Sequence, residues 1–319
     1  MQPKLGFLKR MPGITWVLLL LIVIFSFISP RFAHPDNIYN IIRQSTVLTI
    51  VSLGMMAAIT SGGIDLSVGS LVGLSGVLVA YLVKNGMNWF LAIVIGVLVC
   101  SFFGMISGLV ISKGKVFPFI VTFGMLFMIR SISLGFTQGG SLHIESQTFS
   151  MINAGYFLFI PIPFWISLVL FIFVLFLMNR SVFGRYIFSI GIDSNGARWM
   201  GINVDLYKTL VYVLSATLAG IAGVVLASRV NTGNALIGQD TQFYAVAAVV
   251  IGGTPITGGR GNLVGAVLGA LVITIIQNGL TLLGFSSELT SAIVGLTLVL
   301  GVILAQFAYR GETHGERSN

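Results

Sequence analysis

Long apolar stretches alternate with short polar connections along almost the whole chain. A membrane-spanning helix needs roughly 20 mostly apolar residues. Ten stretches are candidates, and they cover residues 14–29, 45–61, 66–83, 89–111, 117–137, 164–178, 208–228, 242–256, 262–283 and 289–308. They are too continuous for barrel strands, which alternate over about ten residues. Because helices satisfy their own backbone groups in lipid, the pattern predicts an all-α integral membrane protein, a polytopic helical bundle of about ten transmembrane spans.

The distribution of Lys and Arg between the connections predicts the orientation of this bundle. Cytoplasmic loops of membrane proteins carry an excess of these residues. With the N-terminus inside and ten crossings, the inside segments hold twelve of the 17 Lys and Arg residues. The outside segments hold only Arg31, Arg43, Lys84 and Arg229. We therefore expect both termini to be cytoplasmic, with tails at about 1–13 and 310–319.

Composition supports the membrane assignment and excludes several classes of protein. Hydrophobic residues make up 56% of the chain and charged residues 8%, whereas soluble proteins carry about 25% charged residues. This excludes a soluble enzyme, a disordered chain and a nucleic-acid-binding module. The formal net charge of +8 is then mainly a topology signal. The single cysteine, Cys100, excludes a disulfide within the chain.

Motifs for catalysis, nucleotide binding and metal binding are missing from the sequence. It contains no GxxxxGK[ST] phosphate loop and no dinucleotide-binding fingerprint. The three histidines, His34, His143 and His314, are far apart in sequence. No metal motif and no nucleophile–base pair emerges, so we predict no cofactor, no metal and no bond chemistry for this chain.

Two glycine-rich stretches resemble each other and interrupt the apolar pattern. One reads SGGIDLSVGSLVGLSGVLVA from Ser61 to Ala80, and the other reads IGGTPITGGRGNLVGAVLGALV from Ile251 to Val272. Each has a glycine pair, a short polar break and then LVG. An even number of spans separates them, as in the parallel repeats of some transporters.

The chemistry of these breaks predicts how one helix ends and the next begins. Gly62 and Gly63 can end a helix in left-handed geometry, and Asp65 can then accept from the backbone N–H of Ser67 or Val68. Thr254 and Pro255 are expected to play the same part in the second stretch. Such breaks form transport sites or gates in many carriers. A tight loop at the cytoplasmic surface is the alternative.

Ionisable residues within reach of the bilayer are rare. The acidic ones are Asp65 and Glu288, at the ends of spans, and Arg130 lies within the span 117–137. Ion-coupled carriers usually place such groups along the pathway, so this pattern disfavours proton coupling. Arg130 either extends its head group to the outer interface or lines a pathway.

Several of these segments together resemble ribose-type ABC importer permeases, a family that serves monosaccharides and autoinducers. The resemblance begins with SGGIDLSVGS, Ser61 to Ser70, and extends to GGTPITGGRGNLVGA, Gly252 to Ala266. It includes the cytoplasmic segment GRYIFSIGIDSNGARWMGINV, Gly184 to Val204, and NIYNIIRQSTVLTIVSLGMM, Asn37 to Met56. It covers about residues 37–308.

The resemblance implies a single transmembrane permease domain over 1–319, located in the bacterial cytoplasmic (inner) membrane. Such a subunit performs no bond chemistry: a separate ABC ATPase supplies energy and an extracytoplasmic solute-binding protein delivers the solute. It implies a dimer with a second copy or a paralogue. Loop 179–207 would be a cytoplasmic coupling loop whose residues Asp193 to Gly201 form a short helix that docks into the ATPase; a solvated loop is the alternative.

Candidate residues follow from these two arguments. The translocation or gate candidates are Gly62, Gly63, Asp65, Ser67, Gly69, Gly252, Gly253, Thr254, Gly258 and Arg130. The coupling candidates are Asp193, Asn195, Ala197, Arg198, Trp199 and Gly201, where Trp199 would be an aromatic anchor on a polar surface. The alternative function is a self-sufficient secondary sugar carrier, which would transport without an ATPase.

Overall fold

The computed structural model describes residues 13–297 and 299 of the chain, and helices dominate this part. The helices are α1 (Gly13–Ile28), α2 (Pro35–Thr60), α3 (Val68–Lys84), α4 (Trp89–Ser112), α5 (Pro118–Thr137), α6 (Gln147–Ala154), α7 (Ile162–Asn179), α8 (Val182–Ile192), α9 (Ser194–Trp199), α10 (Val204–Val230), α11 (Thr241–Ile251) and α12 (Leu263–Leu282). Residues 287–297 are also helical. The strands are β1 (Leu142–His143), β2 (Tyr156–Phe157), β3 (Ile160–Pro161) and β4 (Thr232–Gly233).

The polytopic helical architecture is confirmed, and each predicted apolar run coincides with helical residues. Within the described residues, six helices are long and apolar enough to cross a membrane, namely α2, α4, α5, α7, α10 and α12. Helices α1, α3, α8 and α11 are apolar but shorter. The span count of about ten therefore remains a prediction. The C-terminal tail, most of the N-terminal tail and the end of the run 289–308 lie outside the described residues.

Two predicted run boundaries are wrong, one because of a polar contact between helices and the other because of a glycine turn. Helix α2 begins at Pro35, ten residues before the run 45–61. Its polar first turns are accommodated because Asn37 and Asn278 of α12 exchange two side-chain hydrogen bonds of 3.0 Å. Helix α11 ends at Ile251 and does not continue to 256, because Gly253 has a left-handed backbone with φ of 89°.

The predicted coupling loop 179–207 is also more regular than expected. Helix α8 occupies most of its first half, and the Ser181 hydroxyl accepts from the Gly184 N–H at the start of this helix. Helix α10 already begins at Val204, where the Asn203 side chain accepts from Leu206 N–H at 3.1 Å. Ser and Asn are favoured at such helix starts. Only α9 and its flanking turns separate α8 from α10.

Helices α2 and α10 form the centre of the bundle, with α3, α4 and α12 packed around them. Small residues allow this close packing, as in many membrane proteins. A methyl group added at Gly108 of α4 would lie 2.7 Å from Thr209 Cα on α10, and one at Gly54 of α2 would lie 2.9 Å from Ser215 Cα. By contrast, α4, α5 and α7 expose large apolar side chains, which fits contact with lipid.

The connections collect at two ends of the bundle. At one end β1 pairs antiparallel with β4, and Arg43 Nε donates to the Asn153 carbonyl at 3.1 Å. At the other end, the residues after α2 contact the connection between α11 and α12 and the last residues of α8. The candidate segments found in the sequence therefore share this second end, which we call the junction end.

Candidate functional site

The first glycine-rich segment ends α2 in the way that the sequence predicts. Gly62 has a left-handed φ of 83°, and its N–H donates to the Ile59 carbonyl at 2.9 Å. The Gly63 N–H donates to the Ala58 carbonyl at 3.0 Å, which satisfies a further free carbonyl of the helix end. Gly63 itself is not left-handed, so the expectation is correct for Gly62 alone.

Asp65 then organises the start of α3 from a buried position. Its Oδ1 accepts from the Ser67 N–H at 3.1 Å and from the Ser67 hydroxyl at 2.5 Å. Of the two predicted N–H donors, Ser67 is therefore the one used. Asp65 is only 1% exposed, and its carboxylate lies near Tyr212 and Ser215 of α10. Within the described residues, the buried Tyr212 hydroxyl has no hydrogen-bond partner.

Two further contacts show why the first segment needs glycine. A side chain at Gly63 would overlap the Tyr212 hydroxyl, and one at Gly69 would overlap the side-chain oxygen of Gln242. Gln242, at the start of α11, is 1% exposed. Sequence reasoning missed Tyr212, Ser215 and Gln242. Their polar atoms within apolar runs were the available signal, but nothing local indicates that they face the break.

The second glycine-rich segment ends α11 with the same kind of turn. Gly253 is left-handed, and the Thr254 N–H donates to the Val249 carbonyl at 3.1 Å. The Thr254 hydroxyl accepts from the Asn262 N–H at 3.0 Å, so it closes the connection to α12.

The next helix is started by Asn262 and not by Thr254 or Pro255, which corrects the sequence prediction. The Asn262 side-chain oxygen accepts from the Gly265 N–H at 2.9 Å, and its Nδ2 donates to the Gly252 carbonyl at 3.1 Å. One side chain thus ties the start of α12 to the end of α11. Asn followed by the LVG motif was the sequence signal for this cap.

The structure brings the two glycine-rich segments into direct contact. The Gly259 N–H donates to the Thr60 carbonyl at the end of α2, at 2.9 Å. A methyl group at Gly258 would lie 2.9 Å from both Gly62 N and Gly62 Cα. Gly191, near the end of α8, packs on both Thr60 and Gly259. The junction end thus joins backbone from α2, α8 and the 252–262 connection.

The short helix predicted between Asp193 and Gly201 is present as α9, immediately after this junction. The Asp193 side chain accepts from the Asn195 N–H at 2.9 Å and caps the helix. Ala197 is buried against Ile190 of α8 and Val204 of α10, so α9 is held between its neighbours. Gly201 ends the helix with a left-handed φ of 82°.

The outward side of α9 combines one ion pair with exposed apolar groups. Arg198 Nη2 donates to Asp205 Oδ1 of α10 at 2.6 Å, a partner that the sequence analysis did not identify. Trp199 is 89% exposed, and Met200 and Ile192 are also strongly exposed. An exposed tryptophan beside charged groups is typical of a protein-binding surface.

Arg130 does not join the other candidates. It lies on α5, twelve residues beyond Pro118, which corresponds to roughly 18 Å along a helix. Its Nε is buried without a hydrogen-bond partner in the described part of the chain. Gly69 contacts Gln242 and Gly238 and not the junction between Thr60, Gly191 and Gly259.

Among residues 13–297, no group of three or more His, Cys, Asp or Glu side chains could hold a metal ion. The site is instead a set of helix ends, tight glycine contacts and one buried carboxylate. These contacts position the ends of α2, α8 and α11 and the start of α12 relative to one another.

Comparison with known proteins assigns the chain to a family. Residues 37–302 match the family described as "Branched-chain amino acid transport system / permease component". The chain is 37% identical over 289 residues to the ribose import permease protein RbsC of Bacillus subtilis, covering 90% of each chain. It is 35% identical over 294 residues to the D-allose transport system permease protein AlsC of Escherichia coli, covering 92% of this chain and 90% of the relative. No solved structure matches the chain. The chain therefore belongs to the family of branched-chain amino acid transport system permease components.

Proposed function

We propose that this protein is the membrane-spanning permease subunit of an ABC importer for a monosaccharide or a related small polar solute. The observation that carries the proposal is its similarity, over about nine-tenths of its length, to permeases named for ribose and allose import. Because the matches cover about nine-tenths of this chain, they include both glycine-rich segments and α9. The protein itself would line the path and perform no bond chemistry.

Ten crossings with both termini in the cytoplasm are part of this proposal. The arrangement of the connections supports it, because segments expected on one side of the membrane contact one another. Residues 61–67, the start of α5 and the 252–262 connection meet at the junction end. The segment 138–163, expected outside, pairs instead with the turn after α10. We therefore take the junction end as cytoplasmic, and the membrane as the bacterial inner membrane.

An ABC ATPase would dock on α9 at this cytoplasmic end. The exposed Trp199 provides an apolar anchor, and burying one aromatic side chain contributes strongly to many interfaces. Arg198 would orient α9 through Asp205 as well as present charge to the partner. A solute-binding protein would dock at the opposite end, and a second copy or a paralogue would complete a dimer.

Affinity purification followed by transport measurement tests this function. The tagged chain is purified from native membranes in mild detergent, and the proteins recovered with it are identified by mass spectrometry. We expect an ABC ATPase. The purified complex is then placed in vesicles with the solute-binding protein and D-[14C]ribose or D-[14C]allose. Sugar uptake is measured with and without ATP on the side of the membrane where the ATPase is bound.

ATP-dependent uptake of either sugar supports the importer function. Uptake that follows an ion gradient without any ATPase would instead identify a self-sufficient carrier. The docking surface is tested with Trp199→Ala, which is expected to lower ATPase recovery without changing the stability of the exposed α9 region. Phe127→Ala also removes an exposed aromatic side chain, but on α5. It is the matched control and should leave ATPase recovery unchanged.

A further inference from the structure

Backbone atoms form the central contacts of the junction end. Three segments meet there: the end of α2 at Thr60, the 252–262 connection at Gly259, and the end of α8 at Gly191. The hydrogen bond from Gly259 N–H to the Thr60 carbonyl joins the first two. The third segment packs on both partners of this bond.

Side chains are excluded from this contact on each side. A methyl group at Gly191 would overlap the Thr60 carbonyl oxygen and would lie 2.5 Å from Gly259 N. A methyl group at Gly259 would lie 2.8 Å from Ile192 Cγ1 and 3.2 Å from the Ile192 backbone. Because close-packed backbone cannot be compressed, a displacement of one segment must move the others or separate them.

The same contact is continuous with α9. Ile192 is followed directly by Asp193, which caps α9, and Ala197 of α9 is buried between Ile190 and Val204. A force on α9 therefore acts on the last turn of α8. Gly191 lies in that turn, in contact with Thr60, directly before the first glycine-rich segment, and with Gly259 within the second.

We infer that Gly191 is a positioning residue that transmits movement of α9 to the two glycine-rich segments at once. The inference rests on the proposed function, since it assumes that an ATPase moves α9. The contacts of Gly191 shown by the structure are with the backbone of Thr60 and Gly259. Its role is to let the end of α8 pack on Thr60 and Gly259. Nucleotide binding to the ATPase would then change the positions of both glycine-rich segments.

Fluorescent reporters on the complete importer complex test the transmission. Cys100, which is buried, is replaced by Ala, and single cysteines are introduced as Arg185→Cys on α8 or Ile256→Cys in the second segment. Both positions are exposed. An environment-sensitive thiol fluorophore then reports the response of each position to ATP and Mg²⁺.

In the parent complex we expect both reporters to respond to ATP. Gly191→Ala should leave the response at position 185 intact and reduce the response at position 256 by about 2- to 30-fold, the range expected for residues that couple distant sites. Gly124→Ala on α5 is the control, because a methyl group there meets no atom within 4 Å. It should leave both responses unchanged.

An undiminished response at position 256 in Gly191→Ala would overturn the inference, as would a parent complex in which only position 185 responds. A separate result distinguishes failure of this inference from failure of the proposed importer function. If no ATPase is recovered with the parent chain, the proposed function itself is wrong and the inference falls with it.

Hydrogen–deuterium exchange on the unsubstituted complex provides a measurement that does not depend on the folding of a variant. We expect ATP to change the exchange of segments 188–196 and 255–262 over the same range of ATP concentration. The Gly259 amide, bonded to Thr60, is the most informative single site. A change confined to 188–196 would contradict transmission through this contact.

Discussion

The two glycine-rich segments begin alike and continue differently. In each, a left-handed glycine ends a helix, Gly62 with φ of 83° and Gly253 with φ of 89°. In each, the N–H of the next residue donates to the carbonyl five residues earlier, at 3.0 Å in the first segment and 3.1 Å in the second. The similarity noticed in the sequence therefore corresponds to the same local turn.

The start of the following helix differs between them. In the first segment, buried Asp65 bonds Ser67 twice, and α3 begins after only a few residues. In the second, the connection is longer and partly exposed, and the neutral side chain of Asn262 caps α12. A carboxylate is costly to bury, so its presence at the first break is a difference in chemistry that the second break does not share.

The comparison shows that one turn leads to two different surroundings in the same bundle. The first segment carries a charged group to the side of α10, beside Tyr212 and Ser215. The second stays at the junction end and contacts α8 through Gly259. If the proposed function is correct, we expect the first segment to respond to the solute and the second to respond to α9. Substitutions that exchange features between them test this division.

The largest effect is expected from exchanging the residues at the helix ends. Ser61 and Gly252 occupy equivalent cap positions. A side chain at Gly252 would overlap the backbone of Gly265, so Gly252→Ser should lower the free energy of unfolding by up to about 3 kcal/mol through overpacking. The reciprocal Ser61→Gly loses one hydrogen bond, from its hydroxyl to Ala58, and should cost about 1 kcal/mol.

Thermal unfolding of both variants in detergent measures this difference. Equal destabilisation by Gly252→Ser and Ser61→Gly would show that the second segment can open to admit a side chain, contrary to its close contact in the structure.

The next largest effect is expected at the buried carboxylate. Asp65→Ala leaves the Ser67 N–H and hydroxyl without their acceptor, which should cost about 2 kcal/mol. Transport should fall, while the protein remains in the membrane. Asp65→Asn keeps a side-chain oxygen as acceptor and should be the more stable of the two variants. Vesicle uptake and unfolding temperature are measured together.

The two Asp65 variants also separate structure from function. If Asp65→Asn restores stability but not uptake, the negative charge itself is needed for transport. Normal uptake by Asp65→Ala would show that the first segment takes no part in the movements of transport.

A smaller and equal effect is expected at the two left-handed glycines. A methyl group at Gly62 meets no atom within 4 Å, and one at Gly253 comes only within 3.9 Å of Asn262. The cost of Gly62→Ala and of Gly253→Ala is therefore conformational alone, about 1–2 kcal/mol each. Asn tolerates this geometry better, so Gly62→Asn and Gly253→Asn should cost less than the Ala variants. A clear inequality between the two positions, measured by unfolding temperature, would show that the turns are not equivalent.

Local sequence features predicted those parts of the site that depend on neighbours in the chain. The left-handed Gly62, the bond from Ser67 to Asp65 and the short helix after Asp193 each involve residues at most a few positions apart. Turn and cap chemistry acts over such distances, so a single sequence contains the necessary information. The positions of the apolar helices were predictable for the same reason.

Contacts between distant segments could not be predicted in this way. The approach of Gly259 to Thr60, the position of Tyr212 beside Gly63 and the early start of α2 all depend on how helices pack. Asn37 falls outside the predicted run 45–61 because it is polar. Its helical position depends on Asn278, which another helix supplies. A glycine that permits such packing has no local signature that distinguishes it from any other glycine in a membrane helix.

The smallest effect is expected at the cap of α12. Asn262→Ala removes the acceptor for Gly265 N–H and the donor to the Gly252 carbonyl. Loss of a helix cap costs about 1 kcal/mol. Asn203→Ala is a matched control, since this asparagine caps α10 by accepting from Leu206 N–H.

If Asn262 serves only as a cap, both variants should lower the unfolding temperature equally. We expect Asn262→Ala to have the larger effect, because it also releases the end of α11 from the start of α12. That difference would show that the second segment is held closed by a side chain across its two helices, whereas the first is held by a bond within its own turn. Equal effects would mean that the bond to Gly252 contributes nothing to stability, and that the hydrogen bonds of Thr254 and Gly259 and the close glycine contacts keep the second segment in place.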